Sequence, residues 1–140
     1  MANGLSTLWQ GIVTDLNANK KILGISGCER AAMGQVTTLV PPSAVVWINP
    51  YQTVSSISQN GAITFPTEIN IFCISTPTLA EADAVDGALE IAKNILQHLS
   101  YKEISGTILT QPDTEPALEI IERSSTQAVV AILLKAEVQL

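Results

Sequence analysis

The segment from Thr78 to Leu99 restricts the possible folds more than any other part of this 140-residue chain. Val85, Ala88, Leu89, Ala92, Ile95, Leu96 and Leu99 recur at steps of three and four, which lines one side of a helix with 3.6 residues per turn. Asp83, Asp86, Glu90, Lys93 and Asn94 fall on the other side. Thr78 followed by Glu81 has the form of a capping box, so the helix is predicted to start there. A helix with one apolar stripe needs an apolar surface to lie on. The segments before and after it, which alternate with the period of strands, supply a sheet.

A second amphipathic helix is predicted near the N-terminus, where Leu5, Leu8, Trp9, Ile12, Val13 and Leu16 keep the same spacing and Asn3, Gly4 or Ser6 can cap it. Trp9 is assigned to core packing rather than to ligand stacking. The stretch Gly24 to Pro42 reads as a long surface loop or as an arm that orders against a neighbouring subunit. Strands follow at Ala44–Ile48, stopped by Asn49 and Pro50, then at Thr53–Ser58, and at Ala62–Ser75 with a bend at Pro66. Asn60 and Gly61 have the chemistry of a two-residue hairpin turn. After the long helix, strands are predicted over Glu103–Thr110, Ala117–Arg123 and Ala128–Val138. In the last, Val130, Ile132, Leu134, Ala136 and Val138 share a face. The fold class is α+β, a mainly antiparallel sheet with two amphipathic helices packed on it, and residues 1–140 are expected to form one domain.

The formal charge of −6 argues against general affinity for nucleic-acid phosphates or anionic membranes. The longest strongly apolar run, Ala128 to Leu134, is too short to cross a bilayer, and the N-terminus lacks the pattern of a secretion signal, so a soluble cytoplasmic protein is expected. Hydrophobic residues make up 46% of the chain and charged ones only 14%, a balance explained by surface that meets other copies or partners, or by a Ser/Thr/Asn/Gln-rich surface. Cys28, in a glycine-flanked loop, and Cys73, within a strand, suggest neither a disulfide framework nor a metal site.

The candidates for chemistry are few. His98, the only histidine, lies at the end of the long helix, where it favours the negative end of the helix dipole. Glu81, Asp83, Asp86 and Glu90 form the densest acidic cluster, and Asp83, Asp86 and Glu90 share a helix face that a divalent cation could bridge, but carboxylates in a helix's first turns are stabilised by its positive end without any metal. Asp113, Glu115, Glu119 and Glu122 lack the glycine-centred loop of a calcium site, and the glycines between 24 and 34 do not have the spacing of a phosphate loop. No catalytic, cofactor-binding or metal-binding residue is assigned, and no cofactor is expected. A small enzyme drawing on Cys28, His98 and the acidic helix face is the reading that would need these groups to converge.

The order of an N-terminal amphipathic helix, Pro41-Pro42-Ser43-Ala44-Val45-Val46-Trp47, the strand Glu68–Ser75, the helix Ala80–Leu99 and the final Ala128-Val129-Val130-Ala131-Ile132-Leu133-Leu134 resembles the tail-terminator and tail-completion proteins of tailed bacteriophages and prophages. The resemblance extends from about Leu5 to Val138 and is one of layout, without a short diagnostic motif. It implies a structural, non-enzymatic role: a homo-oligomeric ring, commonly a hexamer, that caps the tail tube and contributes to head–tail joining. The implied partners are the tail tube protein and head-connector proteins, with neither sequence-specific nucleic acid nor membrane. The implied location is the host bacterial cytoplasm during assembly, then the virion tail. An acidic ring would repel DNA passing through it, and the 24–42 loop and the hairpin near Gly61 are the expected contact regions. The alternative is a non-viral protein-binding or scaffold domain.

Overall fold

The computed structural model describes residues 4–30, 39–50, 56–57, 59, 61, 63–112, 116–124 and 126–139. Among them the elements run α1 (Gly4–Ala18), α2 (Lys20–Leu23), β1 (Cys28–Arg30), β2 (Ser43–Pro50), β3 (Ser56–Ile57), β4 (Ile63–Ile74), α3 (Glu81–Leu99), β5 (Glu103–Ile104), β6 (Thr107–Ile108), β7 (Leu118–Arg123) and β8 (Ala128–Gln139). The main sheet has the order β1-β2-β4-β8-β7, with β3 against the start of β4, and only the β1–β2 pair is parallel. The fold is therefore α+β with a mostly antiparallel sheet, as the alternating segments implied.

β4 and β8 form the middle of this sheet, pairing from Thr64↔Gln139 to Ile74↔Val129. Their alternation sorts the residues by face. Ile69, Ile71 and Cys73 of β4, and Val130, Ile132, Leu134, Ala136 and Val138 of β8, are buried in one core with Leu8, Ile12, Val13 and Leu16 of α1 and Ala84, Val85, Ala88, Ile91, Ala92, Ile95 and Leu99 of α3. The α3 stripe is thus rotated slightly from the predicted one: Ala84 and Ile91 are buried, while Leu89 and Leu96 pack at its margin. Val45, Trp47, Phe72, Ile74, Val129 and Leu133 point to the sheet's other face and are buried or half-buried, so the sheet is apolar on both sides through its centre.

Several local expectations are corrected. Thr78 does not cap α3: its N–H donates to Thr126 O and its hydroxyl to Ala80 O, so it belongs to the turn before the helix. The N-cap is Ala80, and the Glu81 carboxylate accepts from Arg123 Nε at 2.9 Å instead of reaching back to the backbone. Cys28 begins an edge strand rather than lying in a loop, because β1 pairs in parallel with Ala44–Val46. β2 continues through Pro50, and β4 passes through Pro66, which lies just beyond the last β2 partner at Thr67↔Pro50. A two-residue hairpin turn occurs at Ser105–Gly106. Ile104 pairs with Thr107, and both turn residues take the positive φ (52° and 80°) that such a turn requires. Ile57 pairs with Ile63 and Gly61 has φ +86°; Asn60, on which the predicted Asn-Gly turn rests, lies outside the described residues. The predicted strand 103–110 is thereby split into β5 and β6.

Cys28 and Cys73 are free, and each pairs with Ala44 from opposite sides, which separates them by two strand spacings, about 10 Å, beyond disulfide reach. Burial, with the nearby Glu29 charge, raises the Cys28 thiol from 9.0 to about 12, and burial followed by the proximity of Cys28 pushes Cys73 up as well. The unfolded chain therefore releases thiol protons that the folded chain retains. The urea midpoint is expected to fall as pH rises above 9.0 towards about 12, and Cys28→Ala/Cys73→Ala should flatten that slope. Ile132, fully buried between Ile71 and Leu118, tests the core: Ile132→Ala should cost about 2–5 kcal/mol in urea denaturation.

Candidate functional site

A hollow of about 790 Å³ lies between the polar side of α1 and the β5–β6 hairpin. α1 contributes Ser6, Thr7, Gln10, Gly11, Thr14 and Asp15; the other wall is Lys102 to Ser105, and Arg30 closes one side. The hairpin can approach α1 because residue 11 is glycine. A Cβ there would sit 2.6 Å from Ser105 Oγ and 2.9 Å from Ile104 Cγ2, closer than atoms tolerate. Chain direction is reversed after α3 by a turn in which Lys102 N donates to Leu99 O at 3.0 Å and Tyr101 takes φ 60°.

Asp15 is the electrostatic centre of this region. Its Oδ2 is 2.7 Å from His98 Nε2, and its Oδ1 accepts from Lys102 Nζ at 2.8 Å. Two lone pairs could not face each other at 2.7 Å, so His98 Nε2 carries the hydrogen and donates it to Asp15. Lys102 Nζ, 3.2 Å from the same nitrogen, is then bonded to the carboxylate rather than to the ring. The three side chains are each partly exposed, and together they fasten α1 to the end of α3. The helix end predicted for His98 is observed; the carboxylate that holds it is 83 positions away in sequence, where periodicity carries no signal.

At the other side of the hollow, Trp9 Nε1 donates to Val46 O at 2.7 Å and the Arg30 guanidinium lies 4.5 Å from the Trp9 ring centre. Trp9 is half-buried against the core, in agreement with its packing role, and its N–H satisfies a β2 carbonyl. Asn17 does the same for β1: its amide accepts from Cys28 N and donates to Cys28 O, both at 2.9 Å, which occupies one edge of the sheet.

The groups that an enzyme reading would combine are held in separate environments. The Cys28 thiol is in the core and His98 is bonded to Asp15. Glu81, Asp83, Asp86 and Glu90 are exposed on α3, two of them paired with Arg123 and Lys93. Glu119 and Glu122 are exposed on β7; Asp113 and Glu115 lie outside the described residues. Among the described residues, no group of three potential ligands is arranged to hold a metal ion, and no helix is long and apolar enough to cross a membrane.

The Asp15 clasp predicts its own test. Asp15→Ala leaves the Lys102 ammonium and the His98 ring N–H without their shared acceptor, and should cost about 1–3 kcal/mol in urea denaturation while leaving the fold intact by circular dichroism.

No family model and no curated protein matches the chain. Among solved structures, a chain described as "Virion of native gene transfer agent (GTA) particle" has the same fold, with a TM-score of 0.60 and 13% sequence identity over 97% of this chain and 97% of that one.

Proposed function

We propose that this chain is a structural subunit of a phage-like particle, and specifically a tail-terminator or completion protein that forms a ring at the end of the tail tube and contributes to joining tail and head. The observation that carries this reading is the likeness in fold, over nearly the full length of both chains, to a chain of a gene transfer agent virion. The layout resemblance to tail-terminator proteins points the same way. The geometry is consistent with a structural role: Asp15, His98 and Lys102 are engaged with one another, and both thiols are buried and held protonated. A ring subunit also accounts for a chain with few charges and several exposed large apolar side chains, Ile22, Val40, Leu79 and Tyr101 among them.

The test uses the purified full-length protein and the tail tube protein of the same particle. Native mass spectrometry and electron microscopy are expected to show closed rings, and adding them should stop tube elongation. A protein that stays monomeric across the micromolar range and leaves elongation unchanged would overturn the reading.

A further inference from the structure

We propose that the contact between neighbouring copies of this chain is made by α2 of one copy against β7 of the next. This rests on the ring reading above for the premise that copies associate; the surfaces themselves are identified by their charge and exposure.

Of the seven basic residues, Lys93, Lys102 and Arg123 are ion-paired within the chain, Arg30 lies over Trp9, and Lys135 is also engaged. Lys20 and Lys21 are different. Both are exposed, adjacent and without an ion pair among the described residues, on a chain whose formal charge is −6. Next to them Ile22 is 80% exposed, while Leu23 is buried and anchors the short helix, so the tip presents two cations and one large apolar side chain.

β7 carries the complementary set. Glu119 and Glu122 are exposed and have no ion pair among the described residues, and between them Ile120 and Ile121 are 36% and 51% exposed. Two consecutive residues of a regular strand would point to opposite faces. Here a bulge falls between Ile120 and Glu122, where Ile120 pairs with Val130 and Glu122 with the next residue, Val129, so Ile121 is extra and both isoleucines stay in solvent. The same bulge and the two carboxylates make β7 a poor template for another strand, although it is the last strand of the sheet. A side-chain contact with a basic, apolar tip fits this edge better than sheet extension.

The two patches belong to different parts of the fold. α2 continues α1, which packs over β1 and β2, whereas β7 is at the opposite end of the strand order and beside α3. The tip and the edge are therefore separate surfaces, with α3 in contact with both elements. Each contact joins unlike surfaces and leaves one of each free, the head-to-tail arrangement that gives a ring when the rotation from copy to copy closes and an open filament when it does not.

The test is charge reversal in the full-length protein, read by sedimentation at low and high salt. Lys20→Glu/Lys21→Glu and Glu119→Lys/Glu122→Lys change only exposed side chains, and circular dichroism checks that each variant remains folded. Each variant alone is expected to associate at least about tenfold more weakly than the unmodified protein, whose own association weakens with added salt. An equimolar mixture of the two should recover the full assembly, because the acidic tip of one variant then meets the basic edge of the other and the reverse. Full-size assemblies from either variant alone, or a mixture that stays dissociated, would overturn this contact while leaving the ring reading standing. A monomeric unmodified protein would overturn both.

Discussion

The long antiparallel pairing of β4 with β8 is the constraint on which the rest of this structure depends. Once Thr64–Ile74 and Val129–Gln139 are in register, every second side chain of both strands faces the helices, and a slip of one residue would send Ile69, Ile71, Ile132 and Leu134 to the other face. The register is sealed at its far end by Ser75. Its N–H donates to Ala128 O and its buried hydroxyl accepts from Ala128 N, extending the ladder one step past the strand with a side chain. Thr78 then bonds Thr126, so the chain leaves β4 already tied to the β7–β8 link. α3 can start at Glu81 without a side-chain cap because this anchoring fixes its position.

From that central pair outward, the sheet's two margins are handled differently. On one side β2 is followed by a three-residue parallel strand whose outer backbone groups at Cys28 are taken up by Asn17, and the Trp9 indole takes the Val46 carbonyl. Side chains of α1 thus do what a further strand would do, and they do so while α1 is packing into the core. On the other side β7 keeps its edge, with a bulge and exposed carboxylates instead of a covering element. Both devices oppose uncontrolled strand addition, but only the second leaves side chains available to another molecule.

The elements with strong periodicity were legible in the sequence. The burial of Leu8, Ile12, Val13 and Leu16, and the single buried face of β8, follow directly from spacing, because a whole face gains by being covered and each residue adds to the same signal. Features that depend on a particular distant partner were not legible. Thr78 and Glu81 have the capping-box spacing, yet each has a tertiary partner, Thr126 and Arg123, that competes successfully for its hydrogen bonds. The tight turn at Ser105–Gly106 lies inside a stretch that reads as one strand, and it forms where Gly11 of α1 lets the hairpin pack closely. Asp15, His98 and Lys102 were visible only as isolated polar residues, since the crossing of α1 and α3 that unites them is a property of the tertiary structure.

The distribution of basic residues ties these observations together. With 13 acidic and 7 basic side chains, an even mixture would leave every surface acidic and copies of the chain would repel. Three of the seven basic residues are instead occupied in fastening elements to one another: Lys102 joins the end of α3 to α1, Arg123 joins β7 to the start of α3, and Arg30 stacks on the α1 tryptophan. That internal use concentrates the remaining positive charge at α2 while the acidic residues stay distributed outside. In the proposed assembly this locally basic point is where another acidic copy can approach without repulsion. Under that proposal, the orientation of one copy relative to the next is set by where the point lies on the fold.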